Sequence, residues 1–501
     1  MIHRRSDAAA RPHTGGDDPQ DGRPRIPASA KNDLAQELAP LEGVGSSTTY
    51  REVEALLRAA GWTDCGAGDW AFALISPSGD LVARLSPFDP VGPFTARLYE
   101  QAAGTGRTPR LHLHRLLSGG ADLQVMERLL PVPSEEAATF LEQVARQEPE
   151  LAAVVRRVHE EAQQALAWCG PLDTNPSNVM RSADGQLVMI DPYYADGPNL
   201  YAQAGEDPDR FVTTIPASRR HHLTEIPLTE SGPWPAAERE ALAQSLLEAD
   251  RRRAEQLITE AAAADVDGWG FGHLDGRATE ERPEWGYVGL LAEAVAQAGV
   301  AVDLDTGGGE VLGECPQLAA EQHVTESWAP NAERARRLLG PRGVQVHETA
   351  PGGPIPLADG AADLVTSRHP VAPEWPEIAR VLAPGGEYLG QHVGPTSAFA
   401  LIEHFIGPTT EAQRRGRHPE DETAAAEAAG LEITELRTAR LRMEFLDVGA
   451  VVWILRKCVW WVPDFDVDRY REQLRTMDAI IRHKGRFVAH STRHLIRARR
   501  R

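Results

Sequence analysis

Lysine is almost missing from this chain. Of 52 basic residues in 501, only Lys31, Lys457 and Lys484 are lysines, so no chemistry between positions 32 and 456 can use an amine side chain. A GC-rich coding bias towards arginine is the plainest origin. Cysteine is scarce too. Cys65, Cys169, Cys315 and Cys458 lie far apart with no C-x-x-C pair, which argues against a disulfide framework or a zinc cluster. No run of about 18 apolar residues occurs, and none follows the basic start Met1–Arg5. Neither a membrane span nor a secretory signal is expected, and a cytoplasmic location follows. Positive charge is in deficit. With 73 acidic residues the net charge is −21, a poor surface for nucleic acid, whose phosphates require Lys and Arg.

Apolar residues make up 42% of the chain, enough for sizeable cores, and the length suits two to four domains. Residues 1–48 are rich in Arg, Asp, Pro, Gly and Ala without apolar period and read as a disordered tail. A mixed α/β segment covers 49–232. Residues 233–265 read as a linker helix starting at Ala236, with Ser231, Gly232, Pro233 and Pro235 as breakers ahead of it. From 266 to 501, strand-like and helix-like runs alternate, the pattern of βαβ units on a parallel sheet. The fold class is α/β.

In the last segment an apolar strand is expected over 300–304, running into Asp305-Thr306-Gly307-Gly308-Gly309 and a helix. A glycine turn between strand and helix lets a ligand approach the backbone. The next expected strand, 322–325, ends at Glu326, 19 residues past Gly307, where a carboxylate suits two ribose hydroxyls. Further strands are expected over 343–347, 362–366 and 387–392, with a helix over 377–382 and a sharp turn at Pro384-Gly385-Gly386.

This series resembles the class I S-adenosylmethionine (SAM)-dependent methyltransferases. Asp303-Leu304-Asp305-Thr306-Gly307-Gly308-Gly309 is similar to the family's D-x-G-x-G-x-G, with Asp305 in place of its first glycine. Pro356–Val365 and Ala379–Gly386 resemble two later motifs. The flanks Asp267–Phe271 and Trp460–Phe465 resemble those of a bacterial subgroup. The resemblance implies a Rossmann-like sheet, cofactor contacts from Asp303, Asp305, Gly307 and Gly309, ribose on Glu326, and a small-molecule methyl acceptor. Glu348 is a candidate adenine contact. At the end of the fourth strand His369 is a candidate base, with an ordinary loop histidine as the alternative, and Arg368 a candidate substrate anchor. Gln391 and His392 end the fifth strand and could face the same crevice. The aromatic segment Trp453–Phe465 reads as an added strand and core anchor or as a lid. The arginines from Arg493 to Arg501 read as a solvated tail.

In the first segment, Asp173 and Asn178 stand five apart and Asp191 follows 18 residues after Asp173, across a hairpin turn at Asp184-Gly185. Asp173 could orient a hydroxyl, while Asn178 and Asp191 offer hard oxygens to Mg²⁺. A turn-and-cap role is the alternative. These residues resemble the kinase-like superfamily, nearest its aminoglycoside-phosphotransferase branch. That implies an α+β kinase-like domain over 49–232, with Gly66 and Gly68 in the nucleotide loop, Arg84 at the phosphate-binding position, Glu100 as its ion-pair partner, Val125–Leu129 as hinge, and ATP with Mg²⁺ as ligands. Arg84 replaces the family's lysine and is not equivalent to it. His112, His114, His221 and His222 read as surface histidines.

The expected protein is therefore a kinase-like module joined by a helix to a SAM-dependent methyltransferase. Its rivals are a bifunctional enzyme that also phosphorylates, a nucleotide-regulated binding protein, and a SAM sensor.

Overall fold

The computed structural model describes residues 34–166, 169–195, 197–229, 235–266 and 270–501. The chain forms two units. One comprises the described residues up to Gln256 with Ala479–Gly485, the other Leu257–Asp478 with Arg486–Arg501. The break falls inside the helix Ala236–Ala263 rather than to either side of it, so the expected linker is shared. Leu242, Leu246 and Ala249 join the core of the first unit. The breakers Ser231, Gly232 and Pro233, and residues 1–33 of the expected tail, lie outside the described residues.

The tail does not extend to residue 48. Leu41 and Val44 are buried, and Leu34 and Leu38 pack beside them. Leu34, Leu38 and Leu41 recur at helical spacing, an apolar stripe that the polar composition of the stretch conceals. In the first unit β1 (Thr63–Ala67), β2 (Phe72–Ile75), β3 (Leu81–Ser86), β4 (Leu111–Leu116) and β5 (Asp122–Glu127) form an antiparallel sheet in the order β1-β2-β3-β5-β4. The helix Gly92–Ala102 lies between β3 and β4 in sequence. Leu81, Ala83 and Leu85 alternate inward along β3 and leave Arg84 on the opposite face. Beyond the sheet come the helices Ser134–Gln147 and Pro149–Ala165 and the short strands β6 (Leu130–Pro131), β7 (Cys169–Leu172), β8 (Val179–Arg181), β9 (Leu187–Met189) and β10 (Tyr193–Ala195). β8 and β9 pair as a hairpin through the expected turn at Gly185.

The second unit is built on one eight-stranded sheet. Its strands are β11 (Ala278–Glu280), β12 (Val300–Leu304), β13 (Glu321–Glu326), β14 (Gln345–Glu348), β15 (Ala362–Arg368), β16 (Leu382–Val393), β17 (Leu431–Phe445) and β18 (Phe487–Arg500). The order is β11-β17-β18-β16-β15-β12-β13-β14. β12 to β16 are mutually parallel, and β18 runs antiparallel to both neighbours. β13 and β15 are buried along nearly their whole length, as parallel strands covered on both faces must be. All four cysteines are free, and no described helix is long and apolar enough to cross a membrane.

Three expectations change. The sharp turn at Pro384–Gly386 lies within β16 as an irregularity, between Leu382 paired with Ala362 and Glu387 paired with Leu364. The aromatic segment opens with a buried helix, Val448–Lys457, not a strand, and Trp453 donates to the Asp265 carbonyl. The C-terminal arginines do not form a solvated tail. Arg493 pairs with Glu280, Arg497 with Glu387 and Glu435, and Arg500 donates to the carbonyls of Arg380 and Leu382. A strand placed inside a sheet finds carboxylates on its neighbours that a local reading cannot see.

Gly386 is forced by close strand approach. A Cβ there would stand 2.9 Å from the Ala383 carbonyl oxygen, 3.0 Å from that of Ala362 and 3.1 Å from that of Asp363. Gly386→Ala should therefore lose about 1–3 kcal/mol of stability in urea unfolding. A loss under about 0.5 kcal/mol would show that the bulge yields freely.

Candidate functional site

Strand order reverses at β12. From it the chain runs outward to β13 and β14, then returns to β15 on the other side. In an open parallel sheet that reversal leaves a crevice at the carboxyl ends of the strands. A shallow cleft lies there, lined by Leu304 and Asp305 after β12, Thr349, Ala350 and Gly352–Ile355 after β14, Ser367 and Pro370 at β15, and Tyr388.

Glu326 ends β13, nine-tenths buried, and three backbone amides hold its carboxylate. Gly307 donates to Oε2 at 2.8 Å, and Ser327 and Trp328 donate to Oε1 at 2.9 and 2.8 Å. The glycine turn and the acid, predicted as parts of one site, are thus joined directly. Asp305 has φ 52° and adopts by itself the left-handed conformation that a glycine would supply; Asp is among the residues that tolerate it. Gly307 has φ 65°. Gly309 answers to packing, because a Cβ there would press on Leu339 at 2.6 Å. Asp303 is buried beneath the turn and accepts from Thr366 Oγ1 at 2.6 Å. Burial pushes its carboxyl up to about 6 although that hydrogen bond favours the charge. Glu348 is half exposed and accepts from Arg336 at 3.3 Å; the neighbouring Thr349 and Ala350, which the sequence did not suggest, line the cleft.

At the end of β15 Arg368 is exposed and His369 half-buried with φ 61°. Trp285 Nε1, which can only donate, gives its hydrogen to Gln391 Oε1 at 2.8 Å. The Gln391 amide nitrogen therefore faces His369 Nε2, 3.2 Å away, and donates to it. This leaves the ring proton on Nδ1. Burial, then the charges of Arg493 and Arg368, hold His369 well below the usual imidazole range. A neutral ring whose free lone pair is already taken makes a poor base, so the geometry opposes that expectation. Gln391 stays with His369, outside the residues that line the cleft, whereas His392 lies on the other face of β16 with Tyr388, bonded to it and to Glu422.

In the first unit, backbone contacts gather the expected triad. Asn178 Nδ2 donates to the Asp191 carbonyl at 3.2 Å, and the Asp173 amide donates to the Pro192 carbonyl at 2.8 Å. Gly66 is exposed within β1, paired with Ala73, and Gly68 is half-buried in the turn to β2. Glu100 is not the partner of Arg84. It is exposed on the helix Gly92–Ala102, while Arg84 pairs with buried Asp89 at 2.8 Å and with Asp191 at 3.5 Å. Burial works against the Arg84 charge, but Asp191, Asp89 and Asp122 outweigh it and raise its pKa. The residues expected to hold Mg²⁺ and phosphate do not fit them as placed. The Asp191 carboxylate faces a guanidinium, and Asp173 Oδ1 accepts from the Asn175 amide at 2.9 Å. The histidines expected at the surface are half-buried. His114 pairs with buried Asp122 at 2.7 Å, burial takes His112 down to about 4, His221 stacks on His483, and His222 pairs with Glu225.

No family model and no curated protein matches the chain. Several solved structures align with part of it. The YcgJ protein from Bacillus subtilis is 15% identical over 43% of this chain and 98% of its own, with a TM-score of 0.32. An S-adenosylmethionine-dependent methyltransferase from Mesorhizobium loti is 15% identical over 43% of this chain and 97% of its own, at 0.27. A geranyl diphosphate methyltransferase solved with GPP and sinefungin is 15% identical over 44% and 79%, at 0.27. At such scores these likenesses carry no weight for fold or activity.

The Asp303 shift has a testable sign. A carboxyl that titrates at about 6 when folded and near ~3.9 when unfolded binds its proton more tightly in the native state. Stability then falls as pH rises from about 4 to 6 and is level above. Asp303→Asn lacks this slope, so its stability relative to the wild type should improve across that window by up to roughly 3 kcal/mol in urea unfolding. A difference that stays constant with pH would mean that Asp303 titrates normally.

Proposed function

We propose that the second unit is a SAM-dependent methyltransferase acting on a small, negatively charged molecule. The observation that carries this reading is the bond from the Gly307 amide to Glu326 at the reversal of strand order. It sets a glycine turn and a carboxylate together at the carboxyl ends of β12 and β13, next to Asp305 and Thr325 of the cleft wall, as recognition of a ribose beside close backbone requires. The residues present fit the cofactor. Asp305 keeps the left-handed turn without glycine. Glu326 spends three acceptor positions on amides, out of about four that a carboxylate offers, and keeps capacity for a hydroxyl.

When bound, SAM supplies an electrophilic methyl group on a sulfonium. The chain then has to orient an acceptor and keep water out. Asp303, Asp305, Gly307 and Glu326 would hold the cofactor, and the crevice past β15 would hold the acceptor. His369, neutral with its proton on Nδ1, serves as a hydrogen-bond donor there, and Gln391 and Trp285 fix its ring. Arg368 supplies a cation for an anionic group on the acceptor. A carboxylate or similar anion is already nucleophilic and needs no base, in keeping with the state of His369.

Calorimetric titration of the whole protein with S-adenosylhomocysteine tests the reading. Micromolar affinity is expected, with Glu326→Ala weakening it at least tenfold, or about 1.4 kcal/mol. Absence of binding by the wild type would overturn it.

For the first unit we propose a kinase-like scaffold that does not transfer phosphate. The sheet order β1-β2-β3-β5-β4, the helix after β3, and the clustering of Asp173, Asn178 and Asp191 support the resemblance. The grip of Arg84 on Asp89 and Asp191 supports the loss of phosphotransfer. Calorimetry should find no Mg²⁺-dependent ATP binding tighter than millimolar. Micromolar binding that Asp191→Ala removes would favour the bifunctional alternative instead.

A further inference from the structure

His392 and His494 stand directly opposite each other on the antiparallel strands β16 and β18. Glu422, on the helix Pro419–Ala428, reaches between them. Its Oε2 lies 2.5 Å from His392 Nδ1 and 2.8 Å from His494 Nε2. All three ligand-type atoms fall within 4.8 Å of one another, and among the described residues no other such group of His, Cys, Asp and Glu occurs. Both histidine side chains are 1% exposed and that of Glu422 is 14% exposed. None of the three takes part in the cleft chemistry proposed above.

We propose that His392, Glu422 and His494 form a binding site for one divalent transition-metal ion. Two imidazole nitrogens and one carboxylate oxygen are the donor set of three-ligand zinc sites. Metal–nitrogen and metal–oxygen bonds of about 2.0–2.2 Å put tetrahedral ligands roughly 3.4 Å apart, so Glu422 need retreat by less than about 1 Å to admit the ion. The surroundings are those of a ligated histidine. His392 Nε2 stands 2.7 Å from the Tyr388 hydroxyl, a partner for the ring nitrogen turned away from the ion. Gly390 leaves room for that bond, since a Cβ there would lie 2.6 Å from His392 Nε2. The Trp375 ring stacks over His392 with centroids 6.1 Å apart and closes the site on one side. His494 Nδ1 is buried and has no hydrogen-bond partner. Coordination through Nε2 would put the ring proton on Nδ1, so of the two rings only His392 has the outward partner that a ligated histidine usually keeps. The ion would also clamp β16, β18 and the helix Pro419–Ala428, which are far apart in sequence. Tyr388 links it to the cleft, where the same side chain lines the wall.

The test uses the full chain, stripped with chelator and titrated with Zn²⁺ against a chromophoric competitor. One tight equivalent is expected, with His494→Ala and His392→Ala each weakening it at least a hundredfold. Zinc should raise the thermal midpoint of the wild type but not of the variants. Either alanine variant could fail to fold, so Glu422→Gln, which keeps size and hydrogen bonding, is measured as well and should weaken zinc at least tenfold. Loading the wild type with Co²⁺ should give intense visible bands of a four- or five-coordinate centre. Absence of a tight equivalent, its survival in His494→Ala or Glu422→Gln, or only the weak bands of octahedral cobalt would each overturn the proposal. S-adenosylhomocysteine titration is read separately, so failure of the metal site and failure of the methyltransferase reading are told apart.

Discussion

The carboxylate of Glu326 is the joint on which the cleft of the second unit depends. It sits nine-tenths buried, where an ionised group must be fully hydrogen-bonded to remain. Its three amide donors come from two chain segments: Gly307 from the turn after β12, and Ser327 and Trp328 from the turn after β13. One side chain thus ties together two turns, beside the Asp305 and Thr306 amides that donate to Thr325. Charge-assisted bonds of this kind are about twice as strong as neutral ones and constrain direction as well. Removing the carboxylate would strand three amides and release the glycine turn. The same group that would read a ribose also builds the wall on which the ribose would lie.

The first unit meets the opposite problem, a buried cation. Arg84 stands on the non-core face of β3, where the kinase resemblance expects a lysine. A lysine offers a mobile point charge, whereas arginine brings a planar fork that demands several acceptors at once. Asp89 and Asp191 meet part of that demand through Nη2 and Nε, and Nη1 is left buried without a hydrogen-bond partner. Asp122 adds its charge to theirs and is itself held by His114 and Gln124. The network is locally stable because each charge has its partner, and for that reason its members are spent. A guanidinium that faces a carboxylate at the position expected for a metal ligand excludes the cation which that carboxylate would otherwise attract.

What the sequence revealed divides along the same line. The glycine turn, Asp303 and Glu326 were legible because each sits at the end of a strand whose place follows from local periodicity. Asp173, Asn178 and Asp191 were legible for the same reason, a single hairpin separating them. The partner of Arg84 was misread, because the resemblance placed it at Glu100 on the helix Gly92–Ala102, whereas buried Asp89 stands in the segment ahead of that helix. The arginines of β18 were misread because their carboxylates lie on β11, β16 and β17, and contacts between strands so far apart in sequence leave no local trace. His392 was noticed, but as a crevice residue. It shares a face of β16 with the cleft-lining Tyr388 but spends its ring on Tyr388 and Glu422, while Gln391 points to the opposite face and bonds His369.

Position 305 shows how a departure from a motif should be weighed. The motif places glycine there, and an aspartate in its stead suggests a rerouted loop. The residue instead takes a left-handed φ of 52°, so the requirement at this position is one of backbone conformation and not of missing volume. Aspartate meets the first demand at modest cost and could not have met the second. At Gly386 the demand is the reverse, because three carbonyl oxygens crowd the place a Cβ would occupy. Two glycine positions of similar motif standing thus differ in what they tolerate. Only the conformation of the surrounding backbone, not the motif, tells which substitution preserves the turn.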